Sequence, residues 1–217
     1  HKFQRLMMRA FVLLASSTGA RVGELKQLVW GDLDIQIDDS GKDVLLISIR
    51  GETSKTRRGR KAVAHSSHVI SVMDEYKSAS KYTAADDLVF YREQQDGSLS
   101  TVDMSVSFKN FLRRCEYEKR KEGLRFSKDG KARTLYSLRH FYAISRLKQN
   151  VDVFRLATNM GTGVTQIRNH YGRHISGEAF ITELTKYESK TGEKTKSAAV
   201  RQLVNMVETG LLNEEMA

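Results

Sequence analysis

Apolar residues recur every three or four positions along much of the chain, which is the spacing of a helix with one buried face. The first such stripe runs from Phe3 to Leu14, and the helix it predicts is ended near Gly19. Later stripes predict further helices with these approximate bounds: Arg21 to Leu28, Ser66 to Tyr76, Thr101 to Arg120, Ser137 to Asn150, Asp152 to Leu156 and Val164 to Tyr171. Ser137 and Asp152 are interpreted as N-caps, because their side chains can accept hydrogen bonds from free backbone N–H groups.

Strand-like segments are short and lie in the first half of the chain. Val44 to Ile49 is a β-branched and aliphatic run between turn signals, and Asp32 to Ile35 alternates weakly. A second strand is predicted at Lys61 to Ala64, and Leu88 to Phe90 is interpreted as a short buried strand or extended segment. Proline is absent, whereas average usage of roughly 5% would give about ten. The predicted fold class is therefore mainly α with a small antiparallel β-sheet (α+β).

The chain changes character after Tyr171, where Gly172 ends the last strongly patterned helix. Residues 189–196 have the composition of a flexible polar linker, and an apolar stripe between Val200 and Val207 predicts a final amphipathic helix. We therefore predict a domain at residues 1–175 and a tail at residues 176–217. The apolar stripe of the tail must pack on its own domain or dock on a neighbouring copy.

Charge points to a polyanionic partner. Lys and Arg total 36 against 26 Asp and Glu, which gives a formal net charge of +10, and nucleic acid is the commonest polyanion. No apolar run is long enough to span a bilayer, so no membrane partner is expected. The single Cys115 is interpreted as a core residue, and it excludes an internal disulfide. No metal-ligand spacing, P-loop or dinucleotide motif is present, so no cofactor is expected.

Three short segments hold candidate chemistry. Arg21 begins a helix, where it opposes the helix dipole and would be better employed on a bound anion. Tyr136 and Arg139 lie three positions apart and can face the same point at a helix start. Tyr171 ends a helix beside His170 and further basic residues, a positive setting that favours phenolate and suits attack on a phosphate. The simpler alternatives are a surface arginine and a tyrosine that only caps an apolar face.

A very basic segment lies between two of the predicted strands. Residues 53–60 form a polar hairpin tip, and its cations are Lys55, Arg57, Arg58 and Arg60, followed by Lys61. On a chain already this basic, such a tip is predicted to meet phosphates. Charge alone does not tell which of the five cations takes part in chemistry.

Taken in order, these segments resemble the catalytic domain of the tyrosine recombinase (phage integrase) family. Residues 18–25, Thr-Gly-Ala-Arg-Val-Gly-Glu-Leu, are similar to the family's first arginine box with its following acidic residue. Residues 137–141, Ser-Leu-Arg-His-Phe, are similar to the second arginine box. Residues 160–162 followed by 170–174 resemble the segment that ends in the nucleophile, and Lys55 matches the position of the catalytic lysine. The resemblance implies a DNA breaking–rejoining fold.

The resemblance also implies a mechanism without metal or cofactor. Tyr171 would attack a DNA phosphodiester and give a 3′-phosphotyrosyl enzyme with a free 5′-hydroxyl. Arg21 and Arg139 would clamp the non-bridging oxygens, because their planar forks suit phosphate. Lys55 would be the general acid for the leaving 5′-oxygen, and Glu24 would orient Arg21. The cations expected to track the DNA backbone are Arg57, Arg58, Arg60 and Lys61.

Two candidate catalytic positions depart from the common family pattern, which has histidine at both. Tyr136 stands three residues before the second arginine, and Thr162 stands in the segment before the nucleophile. A hydroxyl can still donate a hydrogen bond to a phosphate oxygen. It cannot act as an imidazole does near neutral pH. Proton transfer is therefore either slower or reassigned to Lys55 or His140.

The function implied by the resemblance is site-specific recombination of double-stranded DNA, such as integration or excision of a mobile element. The expected assembly is a homo-oligomer, a tetramer on DNA, with accessory DNA-bending proteins as further partners. We expect a bacterial or phage-encoded protein in the cytoplasm. We also expect a helical DNA-clamping domain to precede residue 1. Two alternatives stay open: a type IB topoisomerase-like enzyme that relaxes supercoils, and a catalytically impaired DNA-binding relic suggested by Tyr136 and Thr162.

Overall fold

The computed structural model describes residues 2–54, 57–64, 68–119 and 124–172, with side chains in all of these except 116–119. The α-helices in these ranges are α1 (Lys2–Thr18), α2 (Val22–Lys26), α3 (His68–Ser78), α4 (Ser105–Lys119), α5 (Tyr136–Lys148), α6 (Val153–Met160) and α7 (Val164–Tyr171), and a short 3-10 helix covers Trp30–Asp32. The strands are β1 (Leu33–Ile37), β2 (Asp43–Ile49), β3 (Arg60–Val63), β4 (Tyr91–Glu93) and β5 (Leu99–Thr101). The prediction of a mainly helical fold with small antiparallel sheets is confirmed.

Helix α1 is the central helix of the first and larger apolar cluster. Ala10, Phe11 and Leu14 on its predicted stripe are fully buried. The helix packs against α3 on one side and α5 on another. Burying a large apolar side chain contributes roughly 1.5–3 kcal/mol. This one helix therefore holds the sheet side and the α5 side of the domain together.

The turn at the end of α1 leads the chain to the candidate site. The Thr18 hydroxyl donates to the Leu14 carbonyl at 2.7 Å and accepts from the Ala20 N–H at 3.3 Å. Gly19 then adopts a left-handed conformation with φ of 65°, which glycine reaches without steric cost. The reversal brings Arg21 to the start of α2, directly after this buried turn.

The main sheet has the strand order β1-β2-β3, and both pairs are antiparallel. Ile47 at its centre pairs with Leu33 of β1 and Ala62 of β3. Alternate residues of β2 are buried because successive side chains of a strand point to opposite faces. The buried face of β2 packs against α3. The β2–β3 hairpin carries the basic tip predicted from sequence.

A second apolar cluster joins α5, α6 and α7. It contains Tyr142 of α5, Leu156 and Met160 of α6, and Ile167 and Tyr171 of α7. Tyr171 thus belongs to a packed core as well as to the end of a helix. The pattern of apolar positions predicted this face of α7 correctly.

Several predicted elements need correction. Leu88 to Phe90, predicted as a short buried strand or extended segment, is not a strand. Leu88 makes one isolated bridge to Val29, and the next two residues are buried as predicted. The β4–β5 hairpin was not predicted, and Thr101 belongs to β5 rather than to a helix. Helix α4 therefore begins at Ser105, whose N–H donates to the Asp103 carboxylate at 3.0 Å.

The apolar side predicted for α4 is only partly buried. Phe108 is 4% exposed, but Phe111 is 45% and Val106 is 71% exposed. Cys115 is half-buried rather than a core residue. The periodic pattern located the helix but overestimated how much of its surface is covered.

Of the two predicted N-caps, one is confirmed and the other is wrong. Asp152 caps α6, and its carboxylate accepts from the Arg155 N–H at 2.9 Å. Ser137 is not an N-cap, because α5 begins one residue earlier, at Tyr136. Its hydroxyl oxygen instead accepts from the Thr134 N–H at 3.0 Å, which ties the preceding loop to the first turn.

Some predictions fall outside the part of the chain that the structure describes. They include the catalytic assignment of Lys55 and the tail at residues 176–217 with its amphipathic helix. They also include the basic residues that follow Gly172. Among the helices that are described, none combines the length and the apolar character needed to cross a bilayer.

Replacing Gly19 with alanine is expected to destabilise the domain by about 3 kcal/mol. The new Cβ would lie 2.2 Å from Cδ1 of the Tyr142 ring, and the backbone would be strained at its φ of 65°. Gly41→Ala is the matched control, because Gly41 has a φ of 78° but a Cβ added there would have no heavy atom within 4 Å. Urea denaturation should show the larger loss for Gly19→Ala, and equal losses would contradict the steric account.

Candidate active site

The candidate site is built around the last turn of α6. Gly161 follows the helix with a left-handed φ of 63°. Its N–H donates to the Thr158 carbonyl at 3.1 Å, and the Thr162 N–H donates to the Ala157 carbonyl at 3.0 Å. This pair of bonds closes the helix in the manner of a Schellman motif. The carbonyl groups that follow along the chain accept no hydrogen bond from within the helix, so they need other donors.

Three arginines from separate segments donate to successive carbonyls of this turn. The pairs are Arg60 Nε to Asn159 O at 3.0 Å, Arg139 Nη1 to Met160 O at 2.8 Å and Arg21 Nη2 to Gly161 O at 2.7 Å. The carboxyl end of a helix carries the negative end of its dipole, so cations are favoured there. The turn therefore brings the two predicted phosphate-binding arginines, Arg21 and Arg139, to one place.

Arg21 is held at both ends by protein groups. Its backbone N–H donates to Glu24 Oε2 at 2.8 Å, and its Nη1 donates to Glu24 Oε1 at 2.9 Å. The carboxylate lies in the first turn of α2, which explains why an arginine is tolerated at this helix start. The side chain remains 21% exposed, so part of it can reach a ligand. This is the geometry that the predicted orienting role of Glu24 requires.

Arg60 occupies a different place from the one expected for a DNA contact. Its Nη1 and Nη2 donate to the two carboxylate oxygens of Glu24 at 3.0 and 2.7 Å. Its side chain is only 9% exposed, and its Nε is bonded to Asn159 O. We therefore correct the interpretation of Arg60 as a residue that tracks the DNA backbone. Its guanidinium is engaged inside the protein, because Glu24 and the end of α6 take up its donors.

Glu24 carries its negative charge inside the domain. Its side chain is 1% exposed. Burial raises the pKa of this carboxyl, but the hydrogen bonds from Arg60 and from the Arg21 backbone, with the Arg60 charge, outweigh it and hold the pKa below the ordinary 4.5. Glu24 is therefore an ionised partner for both arginines at neutral pH.

Arg139 is more enclosed than Arg21. It is 4% exposed, and its Nη1 also donates to the Gly19 carbonyl at 2.6 Å. Burial and the Arg21 charge lower the pKa of Arg139 below its ordinary value, while Tyr136, Glu24 and Tyr171 oppose this. These four groups consequently lie within electrostatic reach of one guanidinium.

Tyr171 lies within electrostatic reach of Arg139, but it is more buried than the sequence suggested. The residue is 5% exposed. Burial, followed by the neighbouring Tyr136, raises the pKa of the Tyr171 phenol above the ordinary 10, and the Arg139 charge only partly opposes this. Among the described residues, burial outweighs the positive setting that was expected to favour phenolate; Arg173 and His174, which belong to that setting, lie outside the described ranges. The phenol is protonated near neutral pH and needs a proton acceptor when it reacts.

His140 lies between two of the candidate tyrosines. Its ring centroid is 4.9 Å from that of Tyr136 and 5.5 Å from that of Tyr171, with both pairs in edge-on arrangements. Tyr136 is 47% exposed at the first position of α5. The predicted pair Tyr136 and Arg139 thus faces the same region as Tyr171, with an imidazole next to it.

The remaining candidates are distributed around this centre. Thr162 is half-buried directly after the α6 turn, with its backbone N–H committed to that turn. On the β2–β3 hairpin, Arg57, Arg58 and Lys61 are exposed, as a contact to DNA requires. Lys55 lies outside the described ranges, and its role stays a prediction. Within those ranges no group of three or more His, Cys, Asp or Glu side chains could hold a metal ion.

Asn159 is a supporting residue that the sequence did not reveal. Its Oδ1 accepts from the Val63 N–H at 2.7 Å, and its Nδ2 donates to the Thr18 carbonyl at 3.0 Å and to the Tyr142 hydroxyl at 2.8 Å. One side chain thereby ties β3, α1 and α5 to the end of α6. An asparagine near a helix end carries no local signal for such a role.

Comparison with known proteins decides the family. The sequence profile of the group described as "Phage integrase family" matches residues 2–176. The chain belongs to the phage integrase family. None of the curated proteins compared with it matches significantly.

Solved structures of integrase-like recombinases share the fold. The XerH site-specific recombinase bound to difH substrate superposes with a TM-score of 0.57 at 19% identity, over 89% of this chain and 49% of that one. The XerA recombinase gives 0.54 at 18% identity, over 89% and 64%. The Tn1549 transposon integrase in complex with transposon right end DNA gives 0.56 at 17% identity, over 84% and 59%. The chain thus spans less than two-thirds of each of these integrase-fold structures.

Proposed function

We propose that this chain is the catalytic part of a site-specific DNA recombinase or integrase that cleaves and rejoins DNA through a covalent 3′-phosphotyrosyl intermediate. The observation that carries the proposal is the grouping of Arg21 and Arg139 on the α6 turn, with Tyr171 in electrostatic reach of Arg139. Two guanidinium groups held by hydrogen bonds within the protein, one of them in electrostatic reach of a phenol, suit a reaction at a phosphate, because charge that develops there is stabilised by fixed donors.

In the proposed reaction, the Tyr171 oxygen forms a bond to phosphorus as the bond from phosphorus to the 5′-oxygen breaks. The phenol gives its proton to a base, for which His140 is the proposed acceptor, and the 5′-oxygen gains a proton from Lys55, the proposed donor. Arg21 and Arg139 hold the non-bridging oxygens through charge-assisted hydrogen bonds. Attack by a 5′-hydroxyl from another strand reverses the step, so the covalent bond stores the energy needed for rejoining.

Double-stranded DNA is the proposed substrate, and the exposed cations of the β2–β3 hairpin are its proposed backbone contacts. These are Arg57, Arg58 and Lys61. The net charge of +10 supports binding to a polyanion in the cell. The solved XerH structure is described as bound to its difH substrate, and we propose the same class of partner here. A tetramer on DNA and accessory DNA-bending proteins remain part of the proposal.

A DNA-binding relic without cleavage activity is the second candidate. The observation that favours it is the burial of Tyr171, which raises the pKa of the nucleophile, together with Tyr136 and Thr162 at positions where histidine is usual. The conjunction of Arg21, Arg139 and Tyr171 favours the enzyme, since binding alone does not require the phenol.

The test is capture of the covalent intermediate on suicide DNA. A pool of nicked duplexes with randomised sequence is incubated with the chain, so that cleavage releases a short strand and cannot be reversed. We expect an adduct that survives denaturation, with mass spectrometry placing the nucleotide on the peptide that contains Tyr171. Recovery of bound DNA without any adduct would favour the relic. Relaxation of supercoiled plasmid without strand exchange would instead favour the topoisomerase-like alternative.

A further inference from the structure

We propose that Arg60 is a positioning residue for DNA cleavage: its guanidinium fixes Glu24 and the α6 turn so that Arg21 faces the scissile phosphate. This inference rests on the proposed function. It assigns to the basic hairpin two separate tasks, one directed to the protein interior and one to DNA.

The Glu24 carboxylate is fixed by four donors from two arginines. Oε1 accepts from Arg21 Nη1 at 2.9 Å and Arg60 Nη1 at 3.0 Å. Oε2 accepts from the Arg21 backbone N–H at 2.8 Å and Arg60 Nη2 at 2.7 Å. Arg60 approaches with two parallel bonds, which fixes the carboxylate plane as well as its position. The orientation of Arg21 therefore depends on a carboxylate that Arg60 holds.

Arg60 also supports the other acceptor of Arg21. Arg21 Nη2 donates to the Gly161 carbonyl at 2.7 Å. A Cβ on Gly161 would lie 2.5 Å from Cζ of Arg60, so the guanidinium lies directly against the backbone of this glycine. Its Nε also donates to the carbonyl of Asn159 at 3.0 Å, so Arg60 contacts the same turn at a residue that precedes Gly161. Arg60 thus contacts both groups that aim the Arg21 guanidinium.

The relative exposure of the two arginines gives the direction of this support. The Arg60 side chain is 9% exposed and that of Arg21 is 21% exposed, while Glu24 between them is 1% exposed. Arg60 is the inner partner and Arg21 the outer one, so a phosphate arriving from solvent would meet Arg21. Lysine cannot replace Arg60 fully, because an ammonium group lacks the planar fork.

The next residue along the strand provides a matched comparison. Lys61 follows Arg60 in β3 and is exposed, since successive side chains of a strand point to opposite faces. Two adjacent cations of the same hairpin are therefore expected to act differently. Lys61 is expected to contribute to DNA affinity, and Arg60 to the rate of the chemical step.

The experiment separates these two contributions on suicide DNA. Single-turnover adduct formation at saturating DNA gives the rate of the chemical step, and a salt titration of binding gives the dissociation constant and its salt slope. For Arg60→Met we expect a rate about 100-fold lower at saturating DNA, because displacement of a catalytic donor by about 1 Å has this effect. The dissociation constant and salt slope should stay as in the wild type, and Arg60→Lys should recover part of the rate.

Two control variants are measured beside the Arg60 variants. Lys61→Met is expected to weaken DNA binding and lower the salt slope by about one. Arg92→Met removes an exposed cation of β4 and should change neither quantity. Because Arg60→Met removes a buried partner, circular dichroism first defines a temperature at which each variant is folded. If that variant does not fold, Arg60→Lys carries the test, with a lower rate and unchanged affinity expected.

Two outcomes would overturn the inference alone: an unchanged saturated rate in the folded Arg60 variants, or a loss of affinity and salt slope like that of Lys61→Met. A wild-type chain that forms no adduct would overturn the proposed function, and this inference with it. The two failures are therefore distinguishable in one set of measurements.

Discussion

Phenylalanine in place of Tyr171 is expected to abolish the covalent protein–DNA adduct while the domain stays folded. The change removes only the hydroxyl oxygen that would bond to phosphorus, so no nucleophile is left for the proposed reaction. The ring itself can keep its packing in the α5–α6–α7 cluster, where the residue is 5% exposed. Adduct formation on suicide DNA and the thermal midpoint of unfolding measure the two parts of this prediction.

Tyr82→Phe is the matched control, because it deletes the same atom from a tyrosine elsewhere on the fold. The Tyr82 hydroxyl donates to Glu93 at 2.7 Å, at an exposed contact. This variant should form adducts at the wild-type rate. An adduct that persists in Tyr171→Phe would remove Tyr171 from the proposed mechanism, although it lies within electrostatic reach of Arg139.

The buried phenol has a consequence for how the reaction could begin. Burial favours the neutral phenol and Arg139 favours phenolate, and burial has the larger effect on the pKa of Tyr171. A protonated phenol is a weak nucleophile, so the attack needs a proton acceptor. We propose the imidazole of His140 as this acceptor, because its ring centroid lies 5.5 Å from that of Tyr171 and an imidazole can take up a proton near neutral pH.

Elements whose apolar pattern repeats over many residues were predictable from the sequence. Helix α1 shows this best, because its stripe continues from Phe3 to Leu14 and Gly19 marks its end. The β4–β5 hairpin shows the opposite case, since its strands have three residues each and carry almost no period. The turn dipeptide at Asp96 and Gly97 was nevertheless a visible signal, and Gly97 adopts the positive φ of 81° that such a turn requires.

The candidate site was predictable only as a set of residue types. Arg21, Arg139 and Tyr171 were selected by their local contexts and by resemblance. In the structure the two arginines donate to carbonyls of the α6 turn, and Tyr171 lies within electrostatic reach of Arg139. The pairing of Arg60 with Glu24 could not be predicted, because two cations next to each other in a basic hairpin have the same local pattern whether they face DNA or a buried carboxylate. The shift in the pKa of Tyr171 was also missed, since a sequence displays neighbouring charges but does not display burial.

Glutamine in place of Glu24 is expected to reduce the free energy of unfolding at pH 7 by about 3–5 kcal/mol, the usual cost of breaking a buried ion pair by removing one partner. The amide keeps the shape of the side chain but leaves the charge of Arg60 without compensation at 9% exposure. It also presents N–H donors to two guanidinium groups that are donors themselves. Urea denaturation of the wild type and the variant measures this difference.

The pH dependence gives the same prediction a second test. The pKa of Glu24 is lower in the folded chain than its ordinary 4.5, so the folded state favours the ionised form. Its contribution to stability is therefore complete above about pH 4.5 and is lost as pH falls through the folded pKa. Glutamine does not titrate, so the stability difference between wild type and Glu24→Gln should be largest near neutral pH and shrink in acid.

Glu93→Gln is the control for an exposed ion pair. Glu93 bonds to Lys81 at 2.8 Å, but both side chains are exposed and solvent screens their attraction. We expect a much smaller loss of stability from this variant. If Glu24→Gln were no more harmful than Glu93→Gln, or if its effect stayed constant from neutral pH into acid, the ionised carboxylate would not be what holds Arg21 and Arg60 in place. The α6 turn would then have to hold the arginines by its carbonyls alone.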